Sequence, residues 1–101
     1  MSDSYTSFAD FYPFYLSQHD DLTCRRLHFV GTVGVIATFL YALVTGRYAV
    51  LFLLPVIGYG FAWAGHFFFE KNKPATFQYP LYSLLGDFVM FRDILIGRIR
   101  F

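Results

Sequence analysis

The sequence has little charge and little cysteine for its length. Of its 101 residues, 15% are charged, 23% are aromatic and one is cysteine. The single cysteine excludes a disulfide-rich secreted scaffold, and the high apolar content excludes intrinsic disorder. A net charge of +1 without a basic cluster argues against nucleic-acid binding. A soluble domain of this size has too little interior for fourteen Phe and eight Tyr, which leaves an unusually dense core or a protein partly solvated by lipid.

The few charges are unevenly placed along the chain. Between residues 29 and 69, Arg47 is the one formally charged side chain. The turn-like segment 45–47 divides this stretch into two halves, each close to the length that crosses a hydrocarbon core as a helix. We therefore expect an all-α membrane protein built on a two-helix transmembrane hairpin, with spans at 22–44 and 48–70. The alternative is a pair of buried helices in a soluble protein, which so short a chain could hardly enclose.

The segments that flank the hairpin are rich in Tyr and Phe, with scattered charges. Such aromatic rings favour the headgroup layer of a membrane, so an interfacial helix is expected at 5–18. Residues 80–98 are expected to form an amphipathic helix that lies on the membrane or re-enters it. Its apolar side chains keep helical spacing: Leu81, Leu84, Leu85, Phe88, Phe91, Ile94 and Leu95. The whole chain, 1–101, is thus expected to be one membrane domain.

Basic residues set the expected orientation of the hairpin. Only Arg47 lies in the turn, whereas seven basic residues flank the outer ends: Arg25, Arg26, Lys71, Lys73, Arg92, Arg98 and Arg100. The positive-inside rule then places both termini in the cytoplasm. Residues 1–4 are acidic and no apolar segment of signal-peptide type follows them, so no cleavable signal peptide is expected.

All three histidines lie at the cytoplasmic ends of the expected helices. His28 begins the first span and His66 ends the second, so an antiparallel hairpin brings them to one depth. His19 can face the same site only if the helix breaks before His28, and residues 20–23 contain good N-cap types. With Glu70, four residues after His66, the three imidazoles form a candidate site for Zn²⁺ or non-haem Fe²⁺. The alternative is three interfacial histidines bonded to headgroups or backbone carbonyls.

Two lysines follow His66 and add a further candidate function. Lys71 and Lys73 could hold an anionic lipid headgroup or a fatty-acid carboxylate, although lysines at this end of a span are also ordinary topological anchors. The sequence has no H-E-x-x-H, C-x-x-C or glycine-rich phosphate loop that would favour another chemistry.

Five short elements together resemble the Mpo-like family of integral membrane proteins, whose yeast member is a 2-hydroxy fatty acid dioxygenase. They are FYLSQH at 14–19, RLH at 26–28, Gly-His at 65–66 followed by EKNKPA at 70–75, SL at 83–84 and DFVM at 87–90. The resemblance covers nearly the whole chain. Many relatives carry Asn-Pro shortly after the first histidine, where this chain has two aspartates and a leucine.

The resemblance implies Fe²⁺ as the cofactor, with His19, His28 and His66 as its ligands. It implies that O₂ and 2-hydroxy fatty acids are the substrates, and that the acid is shortened by one carbon. Glu70 is then expected as a fourth ligand or as an orienting group, and Lys73 or Arg26 as the partner of the substrate carboxylate. The compact length is typical of a bacterial member, located in the inner membrane. The competing hypothesis is a non-catalytic lipid-binding or structural membrane hairpin without metal.

Overall fold

The computed structural model describes residues 5–101, which form four α-helices and no strand. The expected all-α class is confirmed. The helices are α1 (Phe8–Ser17), α2 (Leu22–Thr45), α3 (Leu53–Ala64) and α4 (Pro80–Leu95). Shorter turns connect them, with 3₁₀ geometry at Tyr48–Phe52 and Ala75–Phe77 and π-helical geometry at Gly65–Glu70. The expectation for residues 1–4 lies outside the described part of the chain.

The break between α1 and α2 lies at the aspartates that follow His19. Asp21 is the N-cap of α2, and its carboxylate accepts a hydrogen bond of 2.9 Å from the backbone N–H of Cys24. This replaces one of the hydrogen bonds that a helix cannot make at its first turn. The other end of α2 stops at Gly46, whose φ of 72° is the left-handed conformation that favours glycine.

The second half of the chain packs against α2 through glycines. A Cβ atom added to Gly31 or Gly34 would lie 2.9 Å from a side-chain atom of Phe61 or Ile57, respectively, on α3. A Cβ added to Gly65 would lie 2.9 Å from Sγ of Cys24. Along these three pairs, residue numbers rise on one side as they fall on the other, so the two segments pack in antiparallel order.

Two segments are long and apolar enough to cross a membrane by length and composition. They are Leu22–Thr45 and Tyr48–Glu70, the second comprising the 3₁₀ turn, α3 and the π-helical turn. Only 22% and 11% of their most apolar stretches are buried within the structure. Most of their apolar side chains therefore face outward, unlike those of the core helices of a soluble protein.

The main buried cluster lies between α1 and α4, at the end of the structure that carries the histidines. It consists of Phe11, Tyr15, Ala75, Met90 and Ile94. Tyr15 packs directly over Gly86 of α4, where an added Cβ would lie 3.0 Å from its ring. The packing of α1 on α4 thus covers the end of the structure at which the histidines lie.

Candidate metal centre

The three histidines meet at one buried point. His19 comes from the loop after α1, His28 from the second turn of α2 and His66 from the π-helical turn that follows α3. Their exposed fractions are 1%, 5% and 2%. The Nε2 atoms of His19 and His28 are 3.0 Å apart, and one nitrogen of each ring lies within 4.8 Å of the other two. The ring planes are inclined by 74–89°, so the imidazoles approach the point from three directions.

The opposite nitrogen of each imidazole is held by an oxygen atom. Nδ1 of His19 lies 2.7 Å from the carbonyl oxygen of Tyr15, and Nδ1 of His28 lies 2.9 Å from that of Cys24. Nδ1 of His66 lies 2.7 Å from Oδ1 of Asn72. Because an oxygen of this kind only accepts, each Nδ1 must carry a hydrogen, and in a neutral imidazole this leaves Nε2 with its lone pair. Metal-binding histidines are held in the same way, by a carbonyl or carboxylate behind the ring.

Three lone pairs directed at one buried point repel one another, and a cation between them would relieve that repulsion. Burial and the neighbouring His28 and His66 lower the pKa of His19 well below its usual value, so a proton is a poor candidate for that charge. A set of three neutral imidazoles suits a divalent transition metal such as Fe²⁺ or Zn²⁺. The residues present therefore fit a metal ion of this class.

The position of His66 depends on the unusual backbone that follows α3. Gly65–Glu70 forms a π-helical turn, a geometry that is rare and concentrated at functional sites. Lys71 then adopts a φ of 60°, and the backbone N–H of Asn72 returns to the carbonyl oxygen of His66 at 3.0 Å. This reversal brings the Asn72 side chain behind the His66 ring.

Asn72 is itself fixed by the loop that carries His19. Its Nδ2 donates to the backbone oxygen of Gln18 at 3.2 Å and to the Oε1 of Gln18 at 3.1 Å, which leaves Oδ1 facing His66. Sequence analysis included Asn72 in the motif but assigned it no role. The signal that was available is its position directly before Lys73-Pro74, where the helix has to end.

We expect Asn72→Leu to weaken metal binding by about 10–100-fold, the usual effect of removing a group that orients a ligand histidine. The substitution leaves the Nδ1–H of His66 buried without an acceptor. Asn72→Asp keeps an acceptor oxygen and should restore most of the affinity. Titration of the metal-free variants with Fe²⁺ or Zn²⁺ measures this, and equal affinities for wild type and Asn72→Leu would contradict the assignment.

The other predicted site residues have partners away from the three imidazoles. Glu70 Oε1 accepts a 2.7 Å hydrogen bond from the backbone N–H of Asp21, which ties the end of the second segment to the start of α2. Arg26 is exposed, donates through Nε to the carbonyl oxygen of Phe101 at 3.2 Å and lies over its ring. Lys73 is exposed. Within residues 5–101, none of the three side chains lines the cavity beside the histidines.

Two polar residues beside the histidines were not assigned to the site by sequence analysis. The Tyr15 ring stacks on His19 with ring centres 4.2 Å apart, and its hydroxyl donates to the carboxylate of Asp87. Asp87 lines the same cavity from α4. Sequence analysis included Asp87 in the DFVM element but gave it no role in the site. The available signal was the alternative stripe of small and polar residues on that helix.

Burial raises the pKa of Asp87 to about 6 from 3.8, although the hydrogen bond from Tyr15 acts in the opposite direction. Between pH 3.8 and about pH 6, Asp87 is therefore protonated in the folded, metal-free protein but ionised in the unfolded chain. The free energy of unfolding falls as the pH rises through this window. Asp87→Asn keeps an acceptor for Tyr15 and removes the effect. We expect the variant to match wild type at pH 4 and to exceed it by about 2–3 kcal/mol above pH 6. Unfolding of both proteins in detergent at several pH values measures the difference, and a pH-independent difference would contradict this interpretation.

Comparison with known proteins identifies the family of the chain. No curated protein and no solved structure matches the chain significantly. The sequence profile of the family described as 2-hydroxy-palmitic acid dioxygenase Mpo1-like matches residues 5–99. That match includes all three histidines and runs over nearly the whole sequence, as the resemblance of the motifs predicted. The chain therefore belongs to the Mpo1-like family.

Proposed function

We propose that the protein is an Fe²⁺-dependent dioxygenase that shortens 2-hydroxy fatty acids by one carbon. The observation that carries the proposal is the trio of buried imidazoles whose Nδ1 atoms are all hydrogen-bonded, so that three Nε2 lone pairs converge. The family description supplies the reaction class. A purely structural hairpin would not require three buried histidines with this common orientation.

His19, His28 and His66 would hold the iron, which when bound supplies the redox chemistry that lets O₂ react with an organic substrate. The chain's own groups set the conditions for it. Burial of the three imidazoles excludes bulk water. The three acceptor oxygens fix the tautomer and the orientation of each ring. Glu70 acts as a positioning residue, because its bond to the Asp21 N–H fixes the π-helical turn of His66 against α2.

The overall reaction balances without a further reductant. One 2-hydroxy acid and one O₂ give the acid shortened by one carbon, CO₂ and water, so that four electrons from C1 and C2 reduce the oxygen completely. The exposed Lys73 and Arg26 are proposed to attract the anionic substrate from the membrane surface.

The same proposal places the protein in a membrane, as a hairpin of the segments Leu22–Thr45 and Tyr48–Glu70. The outward-facing apolar side chains of both segments support it. The apolar side chains of α4 support it as well, since Leu81, Leu84 and Leu85 are exposed by 79%, 51% and 47%. We further propose that the hairpin lies in a bacterial inner membrane with the histidine end and both termini in the cytoplasm. The excess of basic residues at the histidine end supports this orientation.

Turnover by the purified protein tests the proposal. Iron-loaded protein in detergent should convert 2-hydroxypalmitate and O₂ to the acid one carbon shorter, and chelation should stop the reaction. Zinc-loaded protein should be inactive because Zn²⁺ has no redox chemistry, and palmitate without the hydroxyl should not react. Equal product from zinc-loaded protein, or none from iron-loaded protein, would contradict the proposed function.

A further inference from the structure

An apolar groove begins at His28 and runs along the contact between α2 and α3. It has a volume of about 280 Å³. Its two long walls are formed by residues at helical spacing, which are His28, Thr32 and Val35 on one side and Leu54, Gly58 and Ala62 on the other. Leu84 and Phe88 of α4 cover the end nearest the histidines. Apart from that end, carbon atoms make up most of the groove wall, so its occupant is apolar over most of its length.

A second, much smaller cavity adjoins the groove at the histidine end. It measures about 20 Å³, enough for about one oxygen-sized atom, and is lined by the three imidazoles. Two donors on its wall are buried without a hydrogen-bond partner in the described part of the chain, Nε1 of Trp63 and Oγ of Ser83. Ser83 is only 4% exposed. Since buried donors are normally paired, these two indicate a missing acceptor.

The two cavities share part of their walls, since His28, Tyr59, Ala62 and Asp87 line both. Their combined shape is that of a long apolar slot with donors at one end, which fits a single-chain amphiphile with oxygen atoms on its head. We propose that one fatty acid binds here, with its chain in the groove and a head-group oxygen bonded by Ser83 and Trp63 beside the histidines. That the bound acid carries a hydroxyl at C2 rests on the proposed function. That a fatty acid binds in the groove rests on the two cavities and their unpaired donors.

The length of the groove limits how much of the chain is enclosed. Seven residues separate His28 from Val35 along α2, which is about 10 Å at about 1.5 Å per residue. Carbon–carbon bonds of about 1.5 Å advance an extended chain by about 1.3 Å each, so this distance holds roughly eight carbons. The remainder of a longer chain leaves the groove near Leu54. Gly58 lies halfway along and is the position at which an added side chain would close the groove.

Gly58→Leu tests the position of the chain, with Gly60→Leu as the matched control. A Cβ on Gly58 would lie 3.4 Å from Cγ2 of Val35 across the groove, whereas one on Gly60 meets no atom within 4 Å. Binding of isotope-labelled 2-hydroxypalmitate to protein in lipid nanodiscs should weaken at least about tenfold in Gly58→Leu and less than about twofold in Gly60→Leu. Equal affinities of the two variants would overturn the proposal.

Ser83→Ala and Trp63→Phe test whether these two donors bind the head group of the ligand. Each removes one donor and little volume, and each should weaken 2-hydroxypalmitate binding about tenfold. Binding of hexadecane, which carries no head-group oxygen, should weaken less than about twofold. Loss of both ligands to the same extent would overturn the assigned donors.

These measurements are made on metal-free and iron-loaded protein without turnover, so they separate this inference from the proposed function. A chain-blocking effect of Gly58→Leu in a protein that neither binds iron nor turns over substrate would sustain the fatty-acid site and refute the dioxygenase. Turnover of substrate, combined with unchanged binding in Gly58→Leu, would sustain the dioxygenase and refute the fatty-acid site in this groove.

Discussion

His66→Ala is expected to lower the affinity for Fe²⁺ by at least about a hundredfold, because loss of a ligand exceeds the 10–100-fold effect of losing a group behind one. The remaining pair, His19 and His28, lies 3.0 Å apart at Nε2 and still shares the burial of the site. Two imidazoles alone hold a divalent metal much less firmly than three. Turnover of 2-hydroxypalmitate should be lost with the metal. Elemental analysis and Fe²⁺ titration of the purified variant provide the measurement.

A control for this variant must remove a ring of the hairpin that lies away from the site. Tyr41→Ala serves on α2, since Tyr41 is exposed by 47% and lies more than three helical turns beyond His28. Its iron content and turnover should equal those of wild type. Full iron binding by His66→Ala would show that this imidazole is not a ligand.

Gly65→Ala should damage the site without removing any ligand. The added Cβ would lie 2.9 Å from Sγ, 3.1 Å from Cα and 3.2 Å from the carbonyl oxygen of Cys24, and two of these three atoms belong to the backbone. The backbone of α2 cannot yield as a flexible side chain would, so the π-helical turn must move away. Overpacking of this kind costs about 1–3 kcal/mol. Because Cys24 O also holds the His28 ring, metal affinity should fall at least about tenfold.

Gly60→Ala is the matched control, five residues earlier on the same segment. Its added Cβ meets no atom within 4 Å, and alanine is the better helix former, so stability should be unchanged or slightly higher. Metal titration and thermal unfolding in detergent compare the two variants. Equal behaviour of Gly65→Ala and Gly60→Ala would contradict the close approach of α2 and the π-helical turn.

The sequence predicted the meeting of the histidines because its signals were local. The uncharged stretch, interrupted at Arg47, indicated two long apolar segments, and antiparallel packing of these segments places His28 beside His66. Asp21 indicated the break that frees His19 to turn inward. Each inference needed only helix periodicity and capping, which act over a few residues.

The groups around the histidines could not be predicted because they depend on the packing of distant segments. Asn72 reaches the His66 ring only through a π-helical turn and a left-handed Lys71, neither of which has a reliable sequence pattern. Glu70 was expected near the metal on the spacing of a regular helix, and it instead bonds the Asp21 N–H.

Helix α4 shows a different limit of sequence reasoning. Its apolar stripe was expected to lie on the membrane or to enter it, and Leu81 and Leu84 are exposed within the structure. The sequence analysis did not predict the buried stripe, which includes Ser83, Gly86 and Met90. This division fits the proposed membrane location, since large apolar residues of a membrane protein face lipid, while small and polar ones face other helices. The sequence predicted the amphipathic pattern of α4, but which side packs against protein depends on whether the other side faces water or lipid.

X-ray absorption at the iron edge of anaerobically loaded wild-type protein tests the central claim most directly. The account predicts about one tightly bound Fe²⁺ per chain, with three imidazole nitrogens at about 2.1 Å, the usual distance for such ligands. It also predicts that the imidazole signal falls to two rings in any residual iron of His66→Ala. Iron that binds without imidazole scattering, or protein that retains no iron, would contradict the account.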